Sequence, residues 1–321
     1  MTDSPGDRHP HDDLRELIQA VPPMDGSGGQ VDAKLDAFPG PGTGLGELRG
    51  YLAQIAAAQG RELPRTDRGM VAVFAGTHGV AGSRVTKTAQ ARVIGLTQGS
   101  APVRGIAAEA GAAFKVYEFG LDAPSADLRR EVSLSPRETA AAFAFGMEVV
   151  AEGADVIALG SVGPGAVTAA AAIARGLYGG GADYWAKGEG EIGRQRVADV
   201  QAAADRHSDC FEDPLAILSA FGGRDIAGLA GAILAARYQK IPIILDGFVT
   251  CAAAAVLHAI LPASIAHCIA GHESAEFAQG ALLDRMGLSP LHSFGIGVGD
   301  GTGAALALQT LKSAAAGLDA M

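Results

Sequence analysis

Aromatic residues make up only 5% of this 321-residue chain. A core without large rings is closed by small side chains and close backbone contacts, and 45 glycines beside abundant alanine supply them. Cysteine is scarce too. Cys210, Cys251 and Cys268 are an odd number with no CxxC spacing, which argues against a disulfide framework and for a reducing compartment. Basic residues are outnumbered, 25 against 35, for a net charge of −10. That argues against a nucleic-acid partner, whose phosphates need a Lys/Arg surface. No window of about eighteen residues is free of Gly, Pro and charge, so no membrane span is expected. The greasiest stretch, Ile241 to Leu261, is broken by Pro242, Asp246 and His258 and reads as a buried strand followed by a helix. The opening MTDSPGDRHPHDD lacks the basic and apolar regions of a signal peptide, so a cytoplasmic protein is expected. What remains, at 48% hydrophobic residues, suffices for one large domain, or one large and one small.

The first residues are polar, and 22–46 are rich in Pro and Gly; residues 1–34 are expected to be a disordered or extended arm. Leu14–Val21 has a short helical pattern and Glu47–Gln59 a longer one. A rhythm then begins. Short apolar runs at Met70–Ala75, Lys115–Phe119, Asp155–Leu159, Ile241–Leu245, His267–Ala270 and Ser293–Val298 read as strands. Ala-rich stretches of helical length lie between them, among them Val93–Ala110, Arg137–Glu152, Val167–Gly176, Ile226–Arg237, Thr250–Leu261, Phe277–Met286 and Thr302–Ala316. Continuous apolar strands alternating with helices predict an α/β fold, a parallel sheet covered on both faces.

Ligands of such sheets sit at the carboxyl ends of the strands. Here those ends carry Gly76-Thr77-His78-Gly79, Gly160-Ser161-Val162-Gly163-Pro164-Gly165, Leu245-Asp246-Gly247 and Gly299-Asp300-Gly301-Thr302-Gly303. Any one of them is an ordinary turn; four together, each bringing a polar group, read as a site. The loop ending at Gly165 opens a helix whose free N–H groups suit an anion, with Thr168 adding a hydroxyl. Its spacing is neither a dinucleotide fingerprint nor a Walker loop, which sets a nicotinamide-dependent dehydrogenase far back. Asp300, between glycines, suits a general base, and a helix N-cap equally. His272-Glu273-Ser274-Ala275-Glu276 lacks the second His of a zinc motif, so no metal is expected. A lone histidine such as His78 or His272 is more often structural than catalytic.

Taken together, the motifs resemble one family. Phe74 to Ala81 resembles F-A-G-D-H-G-V-A. Phe221-Gly222-Gly223-Arg224-Asp225-Ile226-Ala227 resembles F-G-G-F-E-I-A, and Leu245 to Phe248 matches L-D-G-F. His272 to Glu276 resembles H-x-S-A-E, and Gly299 to Leu308 resembles G-E-G-T-G-A-A-L-A-L. These belong to the nicotinate-nucleotide:dimethylbenzimidazole phosphoribosyltransferases, and the match runs from about Leu35 to Ala315. The resemblance implies a Rossmann-like domain over 66–301 and a smaller helical domain from 35–65 and 302–321. It implies a homodimer with no cofactor. The implied reaction moves phosphoribose from nicotinate mononucleotide to 5,6-dimethylbenzimidazole, giving α-ribazole phosphate in the cobalamin lower-ligand pathway. Asp300 would then take the acceptor's proton. Gly160, Ser161, Gly163, Gly165, Thr168, Arg196, Gly301, Thr302 and Gly303 would hold the nucleotide. Gly76, Thr77, His78, Thr86, Gln90, Asp246, His272 and Ser274 would surround the acceptor base.

The chain departs from the family at those very positions. The family's catalytic Glu is Asp300, one methylene shorter. G-E-M-G-I-G-N-T-T becomes Gly160 to Thr168, with Pro164 removing a backbone donor. The Asp of A-G-D-H-G becomes Thr77, the N-terminal K-P-P-G-S-L-G becomes Gly40 to Gly46, and a family Lys falls at Arg196. Three readings follow: the family enzyme with an adjusted site, an enzyme for a related azole or nucleotide, or a non-catalytic paralogue that binds a nucleotide or base as regulator or partner. Asp300 favours the first two; Ser161, Ala166 and Gly40 favour the third.

Overall fold

The structure, a computed structural model, describes residues 9–24, 28–37, 44–83, 85–99 and 101–321. Six strands form one parallel sheet: β1 (Gly69–Ala75), β2 (Ala112–Glu118), β3 (Val156–Val162), β4 (Ile243–Leu245), β5 (Cys268–His272) and β6 (Pro290–His292). Their order is β2-β1-β3-β4-β5-β6, a doubly wound order of the flavodoxin kind.

Period-two alternation builds the two faces. Met70, Ala72 and Phe74 of β1 enter one core, with Ile157 and Leu159 of β3. Val71, Val73 and Ala75 enter the other, with Val156 and Ala158. The first core is roofed partly by helices Ala166–Tyr178, Arg224–Tyr238 and Gly247–Ile260, the second by Thr302–Asp319 among others. A third cluster joins Val31 and Leu35, Leu52 and Ala56, and Ala314 and Leu318, drawing the chain ends together. Small residues replace rings as the closing device. A Cβ at Gly231 would lie 1.9 Å from the carbonyl oxygen of Phe143, and one at Gly146 as close to that of Gly228, so helices Pro136–Glu148 and Arg224–Tyr238 pack backbone to backbone.

Several expectations are corrected. Within the expected arm the short helix of Leu14–Val21 is present as Pro10–Gln19, and a further helix, Gly29–Ala37, was not expected: Leu14, Ile18, Val31 and Leu35 each find a core to enter. Gly40 to Thr43 lie outside the described residues. The sixth strand is Pro290–His292, not Ser293–Val298, because Gly295 and Gly299 take left-handed φ of 64° and 70°. The stretch Val93–Ala110 is two helices, Val85–Thr97 and Pro102–Glu109, parted by Gly99 at φ 90° and by Pro102. Helices Ala182–Trp185 and Gly190–Arg206 fill a region where the apolar rhythm is too weak to read, and Pro214–Phe221, capped by Asp213, is an added short apolar helix. Among the described residues no helix is long and apolar enough to cross a membrane. Burial pushes the Cys251 thiol up to about 12 and that of Cys210 to about 11, so both stay protonated.

Buried His267 carries an acid-stability cost. Burial, with help from Arg237, holds its pKa down at about 3, while its Nε2 meets the Ile233 carbonyl at 3.0 Å. The unfolded chain binds a proton at this residue near pH 6.5 and the folded chain does not. Stability therefore falls as pH drops below about 6.5, by about 3 kcal/mol at roughly pH 4.5. Urea denaturation at the two ends of that range should show His267→Gln flatter than wild type. An equal slope in both proteins would place the acid loss at other groups.

Candidate active site

β2 lies on one side of β1 and β3 on the other, so the chain reverses its winding between β1 and β3. Doubly wound sheets bind ligands at that switch point, above the carboxyl ends of the strands. Here β1 ends in Gly76 to Gly79 and β3 runs into Gly163-Pro164-Gly165.

A cleft of about 480 Å³ opens at the second loop, lined by Gly163, Gly165, Val167 and Thr168 on one wall and Gln195 and Arg196 on the other. Gly165 takes φ 90° at the N-cap of helix Ala166–Tyr178, which has no side-chain cap. A Cβ there would lie 2.9 Å from Cβ of His78. First-turn N–H groups and the positive end of the helix thus meet the cleft beside a guanidinium, which suits an anion. Arg196 Nη1 also donates to Glu276 Oε2 at 2.8 Å.

A second, narrow crevice of about 60 Å³ adjoins it and shares Gly163 and Val167. It is bordered by Ser161, Asp246, Ser274 and Glu276 and by the turn Gly297 to Gly299. Ser274 Oγ accepts from the Glu276 N–H at 3.2 Å.

The GDGTG turn does not offer an anion site. Asp246 Oδ2 accepts from Gly301 N–H and Oδ1 from Ala304 N–H, each at 2.8 Å. Asp300 Oδ1 accepts from Thr302 N–H at 3.2 Å and from its hydroxyl at 2.6 Å. Protein carboxylates therefore accept from Gly301, Thr302 and Ala304 in the first turn of helix Thr302–Asp319. Glycine is needed at 303 because a Cβ would lie 2.1 Å from the His272 ring, and at 160 because one would lie 2.4 Å from Gly301 N. Gly160 therefore seats the turn. His272 is fully buried, with Nε2 3.0 Å from Asp246 Oδ1 but off the line of a hydrogen bond. Asp300 is buried and does not line either cleft, although Gly299 before it does; its Oδ2 makes no hydrogen bond among the described residues.

The expected acceptor residues divide. Thr77 and Thr86 both donate to the Leu121 carbonyl, at 3.3 and 3.2 Å, and Gln90 donates to Asp122 at 2.9 Å. They hold the loop after β2 and do not line the crevice. The other side of helix Val85–Thr97, which carries Thr86 and Gln90, has Lys87, Thr88 and Arg92 bordering open space, and Arg92 reaches the narrow crevice. Beneath the glycine loop sits a residue that sequence reading passed over. Asp225 is fully buried, with His78 Nε2 3.1 Å from Oδ1 and Ser161 Oγ donating to Oδ2 at 3.5 Å. A Cβ at Gly76 would lie 2.4 Å from its Cγ. The available signal was its match to the Glu of F-G-G-F-E. Glu276, Gln195 and Arg92 were missed as well. Among the described residues no three His, Cys, Asp or Glu side chains gather as a metal-holding group.

A parallel α/β sheet with an anion-receptive loop at its switch point is the frame of an enzyme that handles a phosphorylated small molecule. A family model described as a phosphoribosyltransferase matches residues 21–321. The nicotinate-nucleotide–dimethylbenzimidazole phosphoribosyltransferase of Methylocella silvestris is 41% identical over 319 residues, 97% of this chain and 94% of that one. The Brucella anthropi protein of the same name is 42% identical over 316 residues, 95% and 93% of the two chains. The crystal structure of the Thermus thermophilus protein of that name superposes with a TM-score of 0.84 at 30% identity, covering 91% of this chain and 95% of that chain. The chain belongs to the nicotinate-nucleotide–dimethylbenzimidazole phosphoribosyltransferase family.

Proposed function

We propose that the protein transfers phosphoribose from nicotinate mononucleotide to 5,6-dimethylbenzimidazole or a related azole. The observation that carries this is the uncapped helix N-terminus facing Arg196 across the larger cleft, which fits the donor phosphate. The acceptor ring lies toward the narrow crevice between Ser274 and the Gly297–Gly299 turn. An acceptor ring nitrogen bonds to C1′ as the bond from C1′ to the nicotinate nitrogen breaks. The electron pair returns to the pyridinium, and the acceptor's other nitrogen gives up its proton. Asp300 takes that proton through Oδ2, and Asp225 with His78 and Ser161 supports the loop that grips the donor. The exchange between two ring nitrogens is redox neutral. The large unit spans 66–301 and takes in the first turns of helix Thr302–Asp319, the last turns of that helix join the N-terminal helices in a smaller cluster, and a cytoplasmic homodimer is the working assembly.

One observation favours a second reading, binding without turnover: Asp300 does not line either cleft. Incubation of the protein with nicotinate mononucleotide and dimethylbenzimidazole, with chromatography of the products, decides between them. Nicotinate and α-ribazole phosphate should appear together. Saturable binding of either ligand with no product would establish the second reading.

A further inference from the structure

We propose that Glu276 is a positioning residue for the donor phosphate, acting through Arg196; this rests on the transferase reading above. The two side chains are contributed by distant parts of the chain. Arg196 comes from helix Gly190–Arg206 and lines the larger cleft. Glu276 follows β5 and lines the narrow crevice. Their 2.8 Å bond joins the two spaces. Both side chains are mostly buried, at 17% and 26% exposure, so the pair is screened less than one on the open surface.

An arginine has five N–H donors in a planar fork. Glu276 engages Nη1, which leaves other donors of the fork to face the cleft. Without that bond the long side chain would sample many rotamers, and a phosphate would have to order it on arrival. Glu276 is itself fixed, since its backbone N–H donates to Ser274 Oγ and its carbonyl accepts from Gln279 N–H at 3.0 Å. The chain thus presents a preset guanidinium opposite the uncapped helix end.

The test compares binding of nicotinate mononucleotide with binding of its nucleoside, nicotinate riboside, which lacks the phosphate. Glu276→Gln should weaken the mononucleotide about tenfold, the order seen when a partner that orients a ligating group is removed, and leave the riboside unchanged. Glu276→Asp should restore part of the loss. Arg196→Gln combined with Glu276→Gln should be no worse than Arg196→Gln alone. Equal weakening of both ligands would make Glu276 merely structural, and tighter mononucleotide binding would make it a competitor of the phosphate; either overturns the proposal. A wild type that binds the mononucleotide no better than the riboside would instead sink the transferase reading.

Discussion

Asp300→Asn lowers the rate of nicotinate release by about 10²- to 10⁴-fold, the contribution expected of a general base, and leaves the thermal midpoint nearly unchanged. The two outcomes separate because Asp300 has two tasks. Oδ1 accepts from the Thr302 N–H and hydroxyl, and an asparagine carbonyl accepts the same bonds. Only the proton-accepting oxygen is removed. The aspartate is also one methylene shorter than the family's glutamate, and proton transfer needs heavy atoms at about 3 Å. Asp300→Glu therefore gains rate if reach is the defect, at the cost of a poorer cap on Thr302. Steady-state release of nicotinate, read beside thermal denaturation, checks all three proteins. An Asp300→Asn variant that turns over within about threefold of wild type would remove Asp300 from proton transfer; a factor of that size is under about 1 kcal/mol.

The inner strands were readable because they are short, continuous and apolar on both faces, a pattern that helices on a solvent face do not imitate. The apolar runs place β1 to within a residue and the start of β3 likewise, but β3 continues three residues past Leu159, to Val162. The pattern fails at β6, where Ser293–Val298 is apolar enough for a strand but two left-handed glycines break the ladder. It fails also at Gly190–Arg206, a charged helix that presents only a few small residues to the core. The glycines at strand ends lie where the two clefts open. They could not say which turn stays open. Gly165 and Gly301 look alike in sequence, and both begin helices at φ near 90°. The difference lies with residues far away in the chain: Asp246 closes one helix end, whereas no side chain caps the other. Asp225 and Glu276 were hidden for the same reason. Each gains its meaning from a partner across the fold, His78 in one case and Arg196 in the other.

Asp246→Ala removes about 3–5 kcal/mol of stability and abolishes nicotinate release. The carboxylate is fully buried at the end of β4 and accepts two backbone N–H groups of the 301–304 turn, each at 2.8 Å. Alanine leaves both donors unpaired in the interior and removes the negative charge that complements the positive end of an 18-residue helix. Each orphaned donor costs about 1–3 kcal/mol, and removing one member of a buried charged contact costs about 3–5 kcal/mol. His272, packed on Gly303 and beside Asp246, loses its neighbour as well. The midpoint should fall by roughly 5–10 °C. Activity goes with it, because the turn that seats Asp300 on Gly160 is the element released. Asp246→Asn keeps one accepting oxygen but turns an NH₂ toward the other donor, so its loss should be intermediate. Circular dichroism melts of the three proteins give the ranking. Should Asp246→Ala melt within about a degree or two of wild type, the helix end is held by other contacts, and the turn's position would owe nothing to β4.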